Sequence, residues 1–204
     1  VSAVEANAGA AEEVGAGGLT PGQQARAFRL LGITTFLALI MINIPQTISP
    51  NFFRDEIGMD GALNGYLIAI RELPGFLLIF VAALLLRQGL ARATAISLAV
   101  AGVGYVLFAP ASTFAALIVP TLIASIGYHS WLQLQDALGL SLARRGEEGS
   151  VLGRFRSIGF AGTLTALLLT FAILFVVGRV SGDLREAQGP WLRGMYVATG
   201  ICAI

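Results

Sequence analysis

The chain has 204 residues, 56% apolar and 12% charged, and a mean hydropathy of +0.79. Soluble domains carry roughly twice that charge. All 13 basic residues are arginine, which excludes a P-loop, whose lysine reaches the phosphates, and any lysine Schiff base. One histidine (His129), one cysteine (Cys202) and a net charge of +1 exclude a zinc site, a haem ligand pair or a disulfide within the chain, and leave no basic surface for nucleic acid. No metal and no cofactor is therefore expected, and the long apolar runs define the class: an all-α, polytopic membrane helical bundle.

Residues 1–27 are rich in alanine, glycine and glutamate, without an apolar run. They lack the basic start and apolar stretch of a secretory signal, and are expected to form a disordered cytoplasmic tail. The bundle then occupies residues 28–204. A bilayer core of about 30 Å needs roughly 20 apolar residues in a helix. Segments 28–50, 61–86, 93–109, 114–142 and 157–178 meet that test, the third at its lower limit. A sixth opens near Trp191 and is still apolar at Ile204. Its length of about 21 Å, at 1.5 Å per residue, is short of the core. The expectation is a truncated sixth helix, and a chain that is the N-terminal piece of something longer.

Arginines in the connections set the orientation. Arg26, Arg29, Arg87, Arg92, Arg144, Arg145, Arg154 and Arg156 lie on one side, against Arg54, Arg179, Arg185 and Arg193 on the other. Eight against four places the N-terminus in the cytoplasm, with the bundle in the plasma membrane (the inner membrane, in a bacterium).

Polar side chains at membrane depth are costly and face a cavity or another helix. The first segment carries Asn43, Pro45, Gln46 and Thr47 in its second half. On the second, Asn64 and Arg71 share a face, with Glu72 about 100° round, so Arg71 and Glu72 are not expected to face each other. Pro74 and Gly75 follow at once. The third segment offers Ser97 and Tyr105 beyond its first residues and reads as an outer brace. On the fourth, Thr121, Ser125, His129, Gln133 and Asp136 fall within an arc of about 120°, forming a stripe. The fifth opens with Arg156 and Ser157 and continues with Thr163 and Thr165. Its Gly153, Ser157 and Ala161 form a small-residue row that reads as close packing.

Four polar-striped helices, with the third bland and the sixth unfinished, resemble the N-terminal six-helix half of a major facilitator superfamily transporter. RELPGFL (71–77) and GSVLGRFRSIGFAG (149–162) are similar to stretches of that family's second and fifth helices. The loop after the second segment, LLLRQGLARA, keeps Arg87 and Gly89. Leu86 stands at the family's aspartate position and Ala82 at its first glycine, and the antiporter turn GPxxGG has no counterpart in the fifth segment.

The resemblance implies two inverted three-helix repeats, a path lined by helices one, two, four and five, and a second six-helix half as partner. The expected activity is secondary transport of a small solute by alternating access, with proton coupling, and no enzyme chemistry. Asn43, Gln46, Asn64, Arg71, His129 and Gln133 are the candidate path residues, and Glu72 and His129 the candidate proton carriers. Arg87, Asp136 and Arg156 are the candidate cytoplasmic gate, Asp136 standing in for the absent loop aspartate. The alternative is a non-transporting membrane protein such as a receptor, an assembly subunit or a degenerate fragment. An intramembrane serine protease is disfavoured, because GLSLA (139–143) shares its helix with the sole histidine.

Overall fold

The computed structural model describes residues 19–76, 86–181 and 184–204. All the regular structure among them is helical. Helix α1 runs Pro21–Asn51 and continues as a π-helical turn, Phe52–Glu56; α2 is Gly61–Phe76. A 3₁₀ turn at Leu86–Gln88 precedes α3, Leu90–Phe108. Then come α4, Phe114–Ser141, α5, Glu148–Ser181, and α6, Leu184–Ala203. Four of these stretches, Pro21–Glu56, α3, α4 and α5, are long and apolar enough to cross a membrane. They fit an integral membrane helical protein.

Helix α1 begins seven residues before the expected start of the first segment at residue 28. Thr20 caps it: its hydroxyl accepts from the Gln23 amide, and the Gln23 side chain accepts from the Thr20 amide. This capping box, with Pro21 at the first helical position, makes residues 21–27 helical rather than disordered. Residues 1–18 of the leader lie outside the described residues, as do residues 77–85 of the second apolar segment.

Helix α5 likewise starts nine residues earlier than its apolar run. Helix α6 starts at Leu184 rather than near Trp191, giving 20 residues and a length of about 30 Å. The stretch LREAQGP (184–190) is too polar to register as apolar, yet it is helical, with Pro190 inside the helix.

Helix α3 packs against α4 and α6, α1 against α5 and α6, and α2 against α4. Glycine makes the closest of these contacts. A Cβ on Gly104 would lie 2.3 Å from the Ala124 nitrogen, and one on Gly127 2.2 Å from that of Ala101. On the opposite side of α3, a Cβ on Gly102 would meet the Gly200 carbonyl at 2.5 Å. No side chain fits at any of the three. The third helix, read as a brace, still exposes Ile96, Val103 and Leu107, but two of its faces are closely packed. Its AVAGVG stretch (99–104) is clamped between two neighbours, a role signalled by small residues rather than by polar ones.

The small-residue row on α5 differs as well. Gly153, Ser157 and Ala161 are exposed, and a Cβ at Gly153 would meet nothing within 4 Å. The packed row is Phe155, Gly159, Gly162 and Ala166, where a Cβ on Gly162 would lie 2.6 Å from the Phe36 carbonyl. Both rows repeat at helical spacing, so spacing alone could not choose between them.

Gly127→Leu should therefore force α3 and α4 apart, costing at least about 1–3 kcal/mol by overpacking. Gly153→Leu should cost nothing. Thermal unfolding in detergent should show a lowered midpoint for the first variant alone; equal midpoints would contradict the backbone contact.

Candidate functional site

A cavity of about 380 Å³ opens among α1, α2 and α4, with residues of α3 and α6 on its wall. Its charged side chains among the described residues are Arg71 and Glu72 on α2, and His129 stands opposite on α4. The guanidinium of Arg71 bonds the Glu72 carboxylate at 3.0 Å through both Nε and Nη2. The two do face each other, contrary to the helical-wheel expectation. Neighbouring Cβ atoms diverge by about 100°, but both side chains are long enough to curl back into a pair. His129 Nε2 lies 3.6 Å from the second carboxylate oxygen, within ion-pair range but too long for a hydrogen bond. Glu72 therefore sits between a guanidinium and an imidazole.

Local backbone chemistry holds this group in place. Pro74 lacks the N–H that would close the preceding turn onto Ile70 and disturbs the ladder around it. The carbonyl of Arg71 accepts a hydrogen bond from Ser125 Oγ on α4, which ties the charged turn of α2 to the polar stripe. Thr121, one turn before Ser125 and also on the wall, is 5% exposed, and its hydroxyl has no partner among the described residues.

The other end of the wall is aromatic. Phe53 stacks on Phe108 at 6.2 Å between centroids, and Phe108 on Tyr196 at 5.1 Å. Tyr105 and Tyr128 also line the cavity, and Tyr196 shares a 2.7 Å hydrogen bond with Ser49.

Of the candidate path residues, Gln46, Asn64, Arg71 and His129 line this cavity, as does Glu72. Asn43 does not; its amide donates to Leu39 O at 2.7 Å and to Thr163 Oγ1 at 3.2 Å, joining α1 to α5. Gln133 is exposed on α4, outside the cavity wall. Asp136 accepts a 2.5 Å bond from Arg156 of α5, an ion pair whose arginine is 64% exposed. Arg87, exposed in the 3₁₀ turn, has no ion pair among the described residues. The wall residues of α3 and α6 (Tyr105, Phe108 and Tyr196) were not among the candidates. They are aromatic rather than charged, and aromatic residues are as common in packed cores as in cavities.

A second polar cluster at the end of the bundle was also not foreseen. Arg193 of α6 donates to the carbonyls of Ala109 and, at 2.9 Å, Ala111, just past the C-terminus of α3. It reaches Glu56 at 3.4 Å and lies 5.1 Å over the Phe52 ring. These carbonyls have no helical N–H to accept from, and a cation suits that negative end of the helix dipole. The sequence signal was an arginine within the last apolar run and an acid at the end of the first.

No family model matches the sequence, no curated protein matches it, and no solved structure matches the fold.

The two polar clusters should differ in strength. Asp136→Asn weakens a single bond to a largely exposed arginine, and should move the unfolding midpoint less. Arg193→Ala removes charge-assisted bonds, each worth about 1.5–3 kcal/mol, and should lower the midpoint by several degrees. The reverse order in detergent melting would overturn this ranking.

Proposed function

We propose that this chain is one half of a secondary transporter for a small solute, built like the N-terminal half of a major facilitator and working by alternating access. The observation that carries the reading is the polar cavity, where Arg71, Glu72 and His129 converge between α2 and α4 beside helices long and apolar enough to cross a membrane. An arginine near the middle of a membrane helix is unfavourable by about 2.5–3.5 kcal/mol, which argues for a compensating partner or ligand.

Packing lends support. Exchanging α1 with α4, α2 with α5 and α3 with α6 turns the α1–α5 contact into α4–α2, and α3–α4 into α6–α1; both partners of each exchange are in contact. Two three-helix repeats would give that correspondence, although the α5–α6 and α4–α5 contacts have no such counterpart among the described residues. In this reading the N-terminus is cytoplasmic, the bundle lies in the plasma membrane, and a second six-helix half completes the path. Glu72 and His129 carry protons, while Asp136 and Arg156 close the cytoplasmic end.

The test is uptake by the complete protein in proteoliposomes. Arg71→Ala and Glu72→Gln, each with insertion verified, should cut uptake at least about tenfold, an effect of some 1.4 kcal/mol on the transport barrier. Glu72→Gln should also flatten its pH dependence. Wild-type rates and pH profiles in both variants would reduce the pair to a packing element. Absence of saturable uptake by the wild type across a solute panel would favour a non-transporting membrane protein.

A further inference from the structure

The cavity wall carries one formal positive and one formal negative charge among its described residues, Arg71 and Glu72, and these already touch at 3.0 Å. Its net charge is therefore zero while His129 is neutral. A ligand that is a simple anion on Arg71 would lie against the Glu72 carboxylate, a like charge that keeps only the longer contact to His129. A simple cation would take Glu72 and strand Arg71. Either puts a like charge directly beside the ligand, in a half-exposed site whose remaining wall is largely apolar and aromatic. A ligand bearing both charges avoids this, because each end meets its opposite and the cavity stays neutral.

The closeness of the pair sets the ligand's geometry. Arg71 and Glu72 are adjacent on one turn, so the ligand's two charges must also be close together, as when a single carbon bears carboxylate and ammonium. The Thr121 hydroxyl and His129 Nε2, both without hydrogen-bond partners among the described residues, stand on the α4 side of the same space. The rest of the wall, with Phe53, Leu67, Tyr105 and Phe108, is apolar and aromatic. The volume of about 380 Å³ on this side of the site is enough for a ligand of amino-acid size.

We infer that the cavity binds a small α-amino acid-like zwitterion, its carboxylate on Arg71, its ammonium on Glu72 and an apolar side chain against the aromatic wall. This rests on the transport reading for its role, but the site itself is tested by binding. Radiolabelled L-phenylalanine is titrated onto the complete protein in nanodiscs and competed with two analogues. One, 3-phenylpropionate, lacks the ammonium; the other, 2-phenylethylamine, lacks the carboxylate.

Saturable binding is expected, with both analogues at least about tenfold weaker. Glu72→Gln should narrow the gap between L-phenylalanine and 3-phenylpropionate to less than about threefold, since it removes the group that rejects a lone anion. Equal or tighter binding of either analogue to the wild type would overturn the zwitterion assignment. So would the absence of saturable L-phenylalanine or L-leucine binding up to about 10 mM, where affinities weaker than the millimolar range begin. Flux of some other solute without amino-acid binding would sink this inference and leave transport standing. Selective binding without flux would do the reverse.

Discussion

Backbone-to-backbone contact of α3 with α4 and α6 is the constraint on which the bundle depends. In a bilayer, burying apolar side chains gains little, because lipid tails are equally apolar, so helices associate through close packing and interhelical hydrogen bonds. Gly102, Gly104, Gly127 and Gly200 remove the side chains that would hold the helices apart. The consequence reaches the cavity. With α3 clamped on two sides, Tyr105 and Phe108 hold fixed positions on its wall, and Tyr196 is brought against Phe108 from α6. The aromatic end of the site is a product of glycine packing elsewhere on the same helices.

Polarity within these helices has two distinct uses. Thr47, Ser49, Thr94, Ser97, Ser157, Thr165 and Thr199 all donate to a carbonyl one turn back in their own helix. Such hydroxyls are satisfied locally, and among the described residues only Ser49 of these also bonds a side chain of another helix, Tyr196. Ser125 donates to the Arg71 carbonyl, and Asn43 reaches Thr163, each across a helix boundary. These cross-helix bonds carry positional information. The Ser125 bond fixes the backbone of Arg71 while its guanidinium stays half exposed, which is the arrangement a binding group needs.

The contrast explains what was legible in the sequence. Apolar run length found the membrane helices, because the bilayer imposes a length that any sequence must meet. It misplaced the starts of α1, α5 and α6, where polar first turns such as PGQQ and LREAQGP are helical without being apolar. The stripe on α4 was readable from spacing, and Thr121, Ser125 and His129 do face the cavity. Gln133 and Asp136 share that stripe but not that environment, since a helix face meets different neighbours along its length. Nor could a helical wheel anticipate the Arg71–Glu72 bond, because it fixes Cβ directions and says nothing of where long side chains end. The role of α3 was missed because glycine and alanine look bland until the partner backbone is known.

The ionic groups are graded along the bundle. At the end where α1 and α3 finish, Arg193 is held by two carbonyls, a carboxylate and an aromatic face, and so resists displacement. In the middle, Glu72 is shared between Arg71 and His129, so releasing either partner leaves it the other. At the opposite end, Arg156 makes one bond to Asp136 from a largely exposed position, and such a pair contributes little in water. Apolar packing secures that end instead: Leu31, Leu142, Ala143, Val151 and Phe155 form a second buried cluster, and Phe28 stacks on Phe155 at 5.8 Å between centroids. The two ends of the bundle are thus held by different forces, ionic ties around Arg193 and apolar packing around Phe155, while the Glu72 group in the middle is the one whose charged partners can exchange.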